Sequence, residues 1–156
     1  MEFIDKWGGV AYKKALDDSP IGMAFVSREG RWLKVNQSLV NMLGYSQDEF
    51  MEKIFQDITH PEDLDADLGL VEKMLLKEIS HYQMEKRYFA KDGEVVWAIL
   101  SVTLIWKDEQ TPHFFVSQIQ NITEIKEKMV QLDKLNQAMV DRELKMVELK
   151  NKLQGE

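Results

Sequence analysis

Residues 82–122 read YQMEKRYFAKDGEVVWAILSVTLIWKDEQTPHFFVSQIQNI, and this stretch decides the fold. Two turn signals, at 91–93 and 107–110, divide it into three runs rich in β-branched and aromatic residues, a pattern that predicts two hairpins. The middle run, 95–106, is apolar on both alternating faces, whereas antiparallel strands usually leave one face polar. We therefore expect both faces of the sheet to be covered, one by short helices and the other by an N-terminal helix (10–16) or a second subunit.

The residues before this stretch predict two further strands and the short helices that follow them. Apolar runs at 23–26 and 31–35 flank the turn signal Ser27-Arg28-Glu29-Gly30, which predicts a third hairpin and brings the sheet to five strands. Helix signals come next, namely two capping residues, one helix-ending glycine and one helix-initiating proline: Asn36, Ser46, Gly44 and Pro61.

The charged residues of this region are expected to face water. Along the helix that begins at Pro61, an apolar stripe at helical spacing is expected to face the core: Leu64, Leu68, Val71 and Leu75. The acidic residues of that helix are then expected on its solvent-exposed side: Asp63, Asp65, Asp67 and Glu72.

Glu85 and Arg87, two apart on one strand, are expected to form exposed cross-strand pairs. His60 is interpreted as a helix-initiating residue rather than a haem ligand.

Residues 124–156 predict one long helix. They contain no proline and no glycine before Gly155, and at about 1.5 Å per residue they form a rod about 45 Å long, too long to bury itself against a small domain. Apolar residues spaced by three and four, with one phase slip near Leu135, form a seam: Ile125, Met129, Leu132, Leu135, Met139, Met146, Leu149 and Leu153. We expect a parallel or antiparallel two-helix coiled coil and hence a homodimer; the alternative is a solvated single helix.

Composition excludes several classes of function. The chain has 156 residues, a net charge of −7 and no cysteine, so it has no disulfide, thiolate nucleophile or zinc–thiolate cluster, and its three histidines are scattered. The net negative charge argues against a nucleic-acid partner or contact with an anionic membrane. No run approaches the length of a membrane span, no signal peptide is present, and no catalytic motif occurs. We expect a cytoplasmic, non-enzymatic segment of one domain plus one helix.

The order of the motifs resembles that of the PAS sensor family (S-box type) over roughly residues 12–125. The matching segments are Ala15 to Met23, Asn36, Leu43-Gly44-Tyr45-Ser46, Glu49-Phe50, His60-Pro61-Glu62-Asp63, Glu85, Arg87, Lys91-Asp92-Gly93, Trp97 and Asn121-Ile122-Thr123-Glu124. The resemblance implies an α+β fold, a five-stranded antiparallel sheet with short helices on one face, plus an N-terminal helix and a long C-terminal coiled-coil helix. It divides the chain into an N-terminal helical cap (1–14), a PAS domain (15–123) and a signalling helix (124–156).

The same resemblance implies a cleft between helices and sheet and a relay from the last strand into the output helix. The relay residues are Asn121, Ile122 and Thr123, with Asn121 in place of the family's usual Asp. The candidate pocket residues are Phe25, Met42, Phe55, Met74, Met84 and Trp97, although methionines also fill cores. Absence of cysteine excludes a covalent flavin adduct and a thioester chromophore. Non-covalent flavin, haem, a small-molecule ligand or an empty cleft remain open, so the cofactor is unknown.

These patterns predict a sensory and dimerisation module fused at its C-terminal end to an output domain. A histidine kinase of two-component signalling is the leading output, because 141–150 is similar to the linkers that precede such kinases, and a diguanylate-cyclase-type output is the alternative. The predicted helix runs to the end of the sequence with no folded segment after it, so we expect the chain to be the front or a fragment of a larger protein. A ligand-free dimerisation scaffold and a cofactor-bearing redox sensor are the rival functions.

Overall fold

The computed structural model describes residues 9–155. In chain order, the helices and strands are α1 (Gly9–Asp17), β1 (Gly22–Ser27), β2 (Trp32–Val35), α2 (Gln37–Leu43), α3 (Gln47–Met51), a 3-10 helix (Phe55–Ile58), α4 (Pro61–Leu75), β3 (His81–Phe89), β4 (Val95–Trp106), β5 (Pro112–Asn121) and α5 (Thr123–Gln154). Within the described residues the chain divides into two compact units, one ending at Ile122 and the other beginning at Thr123. No helix within the described range is long and apolar enough to cross a membrane.

Five antiparallel strands form one sheet in the order β2-β1-β5-β4-β3. All three predicted hairpins are confirmed, because β1 pairs with β2, β3 with β4, and β4 with β5. The long-range pairing of β1 with β5 joins the β1–β2 hairpin to the other three strands, with Ala24 opposite Ser117 and Val26 opposite Phe115. The sheet therefore brings residues about a hundred positions apart onto one surface, which forms the inner wall of the core.

Local signals set the ends of the short helices, as predicted. Asn36 caps α2 by accepting from the Leu39 N–H, and Gly44 ends that helix in the left-handed conformation at φ 82°. Ser46 and Glu49 form a capping box at the start of α3. His60 caps α4 through Nδ1, ahead of a proline in the first turn, which confirms that it initiates the helix.

The Asn36 side chain also ties the N-terminal segment to the sheet. Its Nδ2 donates to the carbonyl oxygens of Leu16 and Ile21 at 2.7 and 3.0 Å. Its Oδ1 accepts from the N–H of Met23 at 2.9 Å and of Leu39 at 3.1 Å. All four hydrogen-bonding positions of this buried amide are thus used, so the capping residue also fixes where α1 leads into β1.

Alternate residues of β4 enter the core, from Val96 to Leu104. The opposite face of β4 is only partly covered by the described chain, since Trp97 and Ile99 are half-buried and Ile105 is exposed. Part of the predicted N-terminal cap, residues 1–8, lies outside the described residues. Coverage of this outer face by a second subunit therefore stays a prediction.

The predicted orientation of α4 is wrong at two adjacent positions. Asp67, expected in water, is 1% exposed, whereas Leu68, expected in the core, is 37% exposed. Met74 is buried as well, seven residues or two turns after Asp67, so the helix turns the Asp67–Met74 side toward the sheet. The carboxylate thus lies inside the domain, where it needs a partner.

The C-terminal unit is the single 32-residue helix α5. None of its residues is buried in the described chain, and all eight predicted seam residues are between 54% and 77% exposed. A row of exposed apolar side chains of this length is unusual for a monomer surface. The helix is confirmed, and the coiled coil and homodimer stay predictions.

Candidate ligand-binding site

A buried ion pair lies between α4 and the sheet. Lys86 Nζ on β3 donates to Asp67 Oδ2 at 2.5 Å, and both side chains are almost completely inaccessible. Strand alternation places Lys86 on the same face as Tyr82 and Tyr88, which is the face that α4 covers. Because β3 runs across the inner wall beneath α4, the lysine reaches the carboxylate without leaving the core.

Tyr82, on the same strand as Lys86, also contacts the Asp67 carboxylate. Its hydroxyl donates to Asp67 Oδ1 at 2.6 Å, so both carboxylate oxygens are engaged. Burial raises the pKa of the Tyr82 hydroxyl, and the adjacent Asp67 carboxylate adds to the shift, so Tyr82 remains a proton donor to Asp67. Burial lowers the pKa of Lys86, an effect that Asp67 opposes. The Lys86 ammonium also lies 4.9 Å from the Phe55 ring centroid and 4.6 Å from that of Tyr88.

This cluster borders a small, partly open cavity of about 30 Å³. The lining combines polar groups from β2, β3, β5 and α4 with apolar groups from the sheet, the 3-10 helix and α4: Val26, Trp32, Phe55, Asp67, Val71, Tyr82, Lys86, Tyr88, Leu100, Val102, Phe115 and Ser117. A volume of this size holds about one water molecule or a very small ligand. Drug-sized ligands need pockets of about 300–1,000 Å³. The cavity therefore does not fit flavin or haem.

Two buried polar atoms, the donor Trp32 Nε1 and the acceptor Gln56 Oε1, have no hydrogen-bond partner among the described residues. Trp32 lines the cavity, and its Nε1 is buried with no hydrogen-bond partner among the described residues. The indole N–H can only donate. A buried donor left unpaired costs about 1–3 kcal/mol, so the native protein usually supplies an acceptor from water or a ligand.

The structure brings one of the six predicted pocket residues, Phe55, to this cavity. Met74 is buried in the core and Met42 and Met84 pack against it, but none of the three lines the cavity. Phe25 and Trp97 alternate with core residues and so lie on the outer face of the sheet. Sequence reasoning missed Lys86 and Asp67, although the alternation of Lys86 with Tyr82 and Tyr88 marks a lysine on an apolar strand face. A ligand-binding role for the six stays a prediction.

Arg87, next to Lys86, links β3 to the start of α4. Its Nη2 donates to Asp63 Oδ1 at 2.8 Å and to Glu62 Oε2 at 3.0 Å, and its Nε donates to Asp63 Oδ2 at 3.0 Å. These hydrogen bonds hold the pKa of the Asp63 carboxyl below its ordinary value of 3.8. The expected exposed cross-strand role of Arg87 is corrected, because the edge strand faces the acidic first turn of α4 rather than open solvent.

The predicted relay residues lie at the end of the sheet. Asn121 is opposite Ala98, the fourth residue of β4. Ile122 is buried, and its N–H donates to the Trp97 carbonyl at 2.8 Å. The Trp97 ring in turn lies 5.0 Å from the Arg87 guanidinium. Thr123 is the first residue of α5. A chain of contacts therefore joins the first turn of α4, through Arg87 and Trp97, to the residue before α5.

Helices pack over one face of the five-stranded sheet and border a small, mainly apolar cavity. A model of the PAS fold matches residues 33–119, more than half of the chain. The chain belongs to the PAS family, a class of regulatory sensor modules.

Three known proteins show how this chain relates to others. The probable diguanylate cyclase DgcE of Escherichia coli is 44% identical over 131 residues, covering 84% of this chain and 12% of that protein. The sensor histidine kinase TmoS of Ectopseudomonas mendocina is 25% identical over 129 residues, covering 83% of this chain and 13% of that protein. The crystal structure of a PAS domain from Colwellia psychrerythraea superposes with a TM-score of 0.67 at 17% identity, covering 74% of this chain and 97% of the other. The chain thus spans about an eighth of the length of the two curated relatives.

Proposed function

We propose that this chain is a sensory and dimerisation module in which α5 pairs with α5 of a second copy and carries the state of the domain to a fused output domain. The observation that supports the proposal most is the row of exposed apolar side chains on α5, a helix that begins two residues after β5 ends. A second copy of α5 covers such a row by packing seam against seam. A change in the domain that favours one pairing register by tenfold corresponds to about 1.4 kcal/mol.

The output is proposed from the relatives. The probable diguanylate cyclase is more similar to this chain than the sensor histidine kinase is, which favours a cyclase-type output over the kinase that the linker sequence favours. The discriminating measurement is made on the full-length protein. Conversion of GTP to cyclic di-GMP supports a cyclase output, whereas transfer of the ATP γ-phosphate to a histidine supports a kinase output.

A ligand-free dimerisation scaffold is the second candidate. The cavity of about 30 Å³ favours it, because the interior is close to fully packed. The two functions differ in whether the pairing of α5 responds to a molecule bound in the domain.

The test of dimerisation uses the absence of cysteine from the chain, since each substitution then introduces one thiol. We expect Leu135→Cys, on the seam, to form a cross-linked dimer under mild oxidation. The control Gln137→Cys, two residues further and on the opposite side of the helix, is expected to cross-link far less. Light scattering of the unmodified chain is expected to give a dimer mass. A monomer at micromolar concentrations, or equal cross-linking at both positions, contradicts the proposal.

A further inference from the structure

We propose that three methionines on the seam of α5 form an oxidation-sensitive site, at which a hydroperoxide converts each thioether to a sulfoxide and thereby separates the paired helices. The inference rests on the proposed pairing of α5 and adds a means of regulating it. The site consists of Met129, Met139 and Met146, three of the eight seam residues. Two observations carry it, namely which methionines of the chain are exposed and where on α5 those methionines lie.

The exposed methionines of residues 9–155 all lie on this seam. Met129, Met139 and Met146 are between 56% and 63% exposed. In the domain, Met74 is 1% exposed, and the other described methionines are half-buried: Met23, Met42, Met51 and Met84. Because the oxidation of a sulfur-containing side chain follows its exposure, an oxidant in solution reacts with the thioethers of α5 before those of the domain.

Methionine is the residue through which a peroxide acts on sulfur in this chain. The sequence contains no cysteine, so no thiol competes for the oxidant. In the reaction the peroxide O–O bond breaks, one oxygen bonds to the methionine sulfur, and the other leaves as water or an alcohol. The sulfur loses two electrons and the peroxide gains them, so the step needs no further reactant.

The sulfoxide is incompatible with an apolar seam. A thioether is an apolar side chain that fills irregular gaps between packed elements. The sulfoxide oxygen is a hydrogen-bond acceptor, and between two apolar seams it meets no donor, so its burial is unfavourable. Met129 and Met146 are 17 residues apart, about 26 Å along the helix, with Met139 between them. Oxidation therefore affects more than half of the length over which the helices pair.

The test treats the unmodified full chain with hydrogen peroxide and measures its mass by light scattering over a range of chain concentrations. Peptide mass spectrometry identifies the methionines that gain an oxygen, and tryptophan fluorescence reports whether the domain stays folded. We expect the three seam methionines to be oxidised before Met74. We also expect the dissociation constant of the dimer to rise at least about tenfold, because several apolar contacts are lost at once, while the fluorescence spectrum stays unchanged.

Two variants separate the seam from the rest of the chain. The seam variant Met129→Leu/Met139→Leu/Met146→Leu keeps an apolar seam without oxidisable sulfur, and we expect it to remain dimeric in peroxide. The control Met51→Leu changes a half-buried methionine of the domain, and we expect it to dissociate in peroxide as the parent chain does. Dissociation of the seam variant in peroxide overturns the proposal, as does oxidation of Met74 ahead of the seam.

The outcome is distinguishable from that of the dimerisation test. A chain that is monomeric before peroxide is added contradicts the proposed pairing, and this inference with it. A dimer whose dissociation constant is unchanged after all three seam methionines are oxidised contradicts this inference alone and leaves dimerisation supported. A dimer that dissociates on oxidation while its domain stays folded supports both, and recovery of the dimer after treatment with methionine sulfoxide reductases supports the assignment to sulfoxide.

Discussion

Removing the ammonium of Lys86 is expected to destabilise the domain more than any surface change of the same chemistry. Lys86→Met keeps a long apolar stem in the core but deletes Nζ, which lies 2.5 Å from Asp67 Oδ2. The Asp67 carboxylate is 1% exposed, so water cannot replace the lost cation, and the Tyr82 hydroxyl alone remains to stabilise the charge. Breaking a buried pair on one side costs about 3–5 kcal/mol, against a total stability of about 5–15 kcal/mol for a domain.

The double variant Lys86→Met/Asp67→Asn isolates the cause. The amide that this variant carries in place of the carboxylate is uncharged and its oxygen still accepts from Tyr82, so the buried charge disappears while the hydrogen bond stays. Replacing both ions of a buried pair by apolar groups is often close to neutral. The amide N–H groups that face the methionine stem have no acceptor and add a cost of about 1–3 kcal/mol, so we expect the double variant to lie between the parent chain and Lys86→Met in stability.

The assay is urea unfolding followed by tryptophan fluorescence, which reports on the domain because α5 contains no tryptophan. Lys91→Met is the matched control, since Lys91 forms a 2.9 Å ion pair with Glu49 on the surface. We expect it to change the free energy of unfolding far less than Lys86→Met does. Equal losses for Lys86→Met and Lys91→Met, or a double variant no more stable than the single one, would refute the reasoning.

Two further predictions concern local features. Because Arg87 holds the pKa of Asp63 below 3.8, ionised Asp63 adds stability that is present above about pH 4 and lost as the pH falls through its native-state pKa. Asp63→Asn should therefore be less stable than the parent at pH 7, and the difference in the free energy of unfolding should shrink in acid denaturation curves. A constant difference down to about pH 2 would contradict this. At Gly30, φ is 91° and an added Cβ would lie 2.7 Å from Gln56 Oε1, whereas Gly93 at φ 88° faces open space. In thermal unfolding we expect Gly93→Ala to lower stability by about 1–2 kcal/mol and Gly30→Ala to lower it measurably more. Equal losses of stability would count against the clash.

The parts of the fold that the sequence predicts are those that neighbouring residues decide. Turn residues at 27–30, 91–93 and 107–110 produce three hairpins, since turn chemistry and strand patterning act over a few positions. The capping amide Asn36 and the glycine Gly44 bound α2 for the same reason. The long helix α5 follows from 32 residues without a helix breaker.

The candidate site was predicted only in part, because it depends on how elements pack across the sheet. Phe55 was expected at the cavity and lies there, but Phe25 and Trp97 belong to the other face, a choice that strands apolar on both faces leave open. Likewise the spacing of apolar residues on α4 allows several rotations of the helix. The rotation that brings Asp67 inward is stabilised by Lys86, a partner 19 positions away.

The sequence by itself determined the five strands, their three hairpins, the starts of α2, α3 and α4 and an apolar seam on a long terminal helix, because each depends on residues within one turn or one strand of each other. Tertiary structure alone decided which face of each strand is inside, and so which side chains surround the cavity. The buried pair of Lys86 and Asp67 exists because β3 and α4 meet there, and a charge is tolerated in a core only where packing delivers its counter-charge.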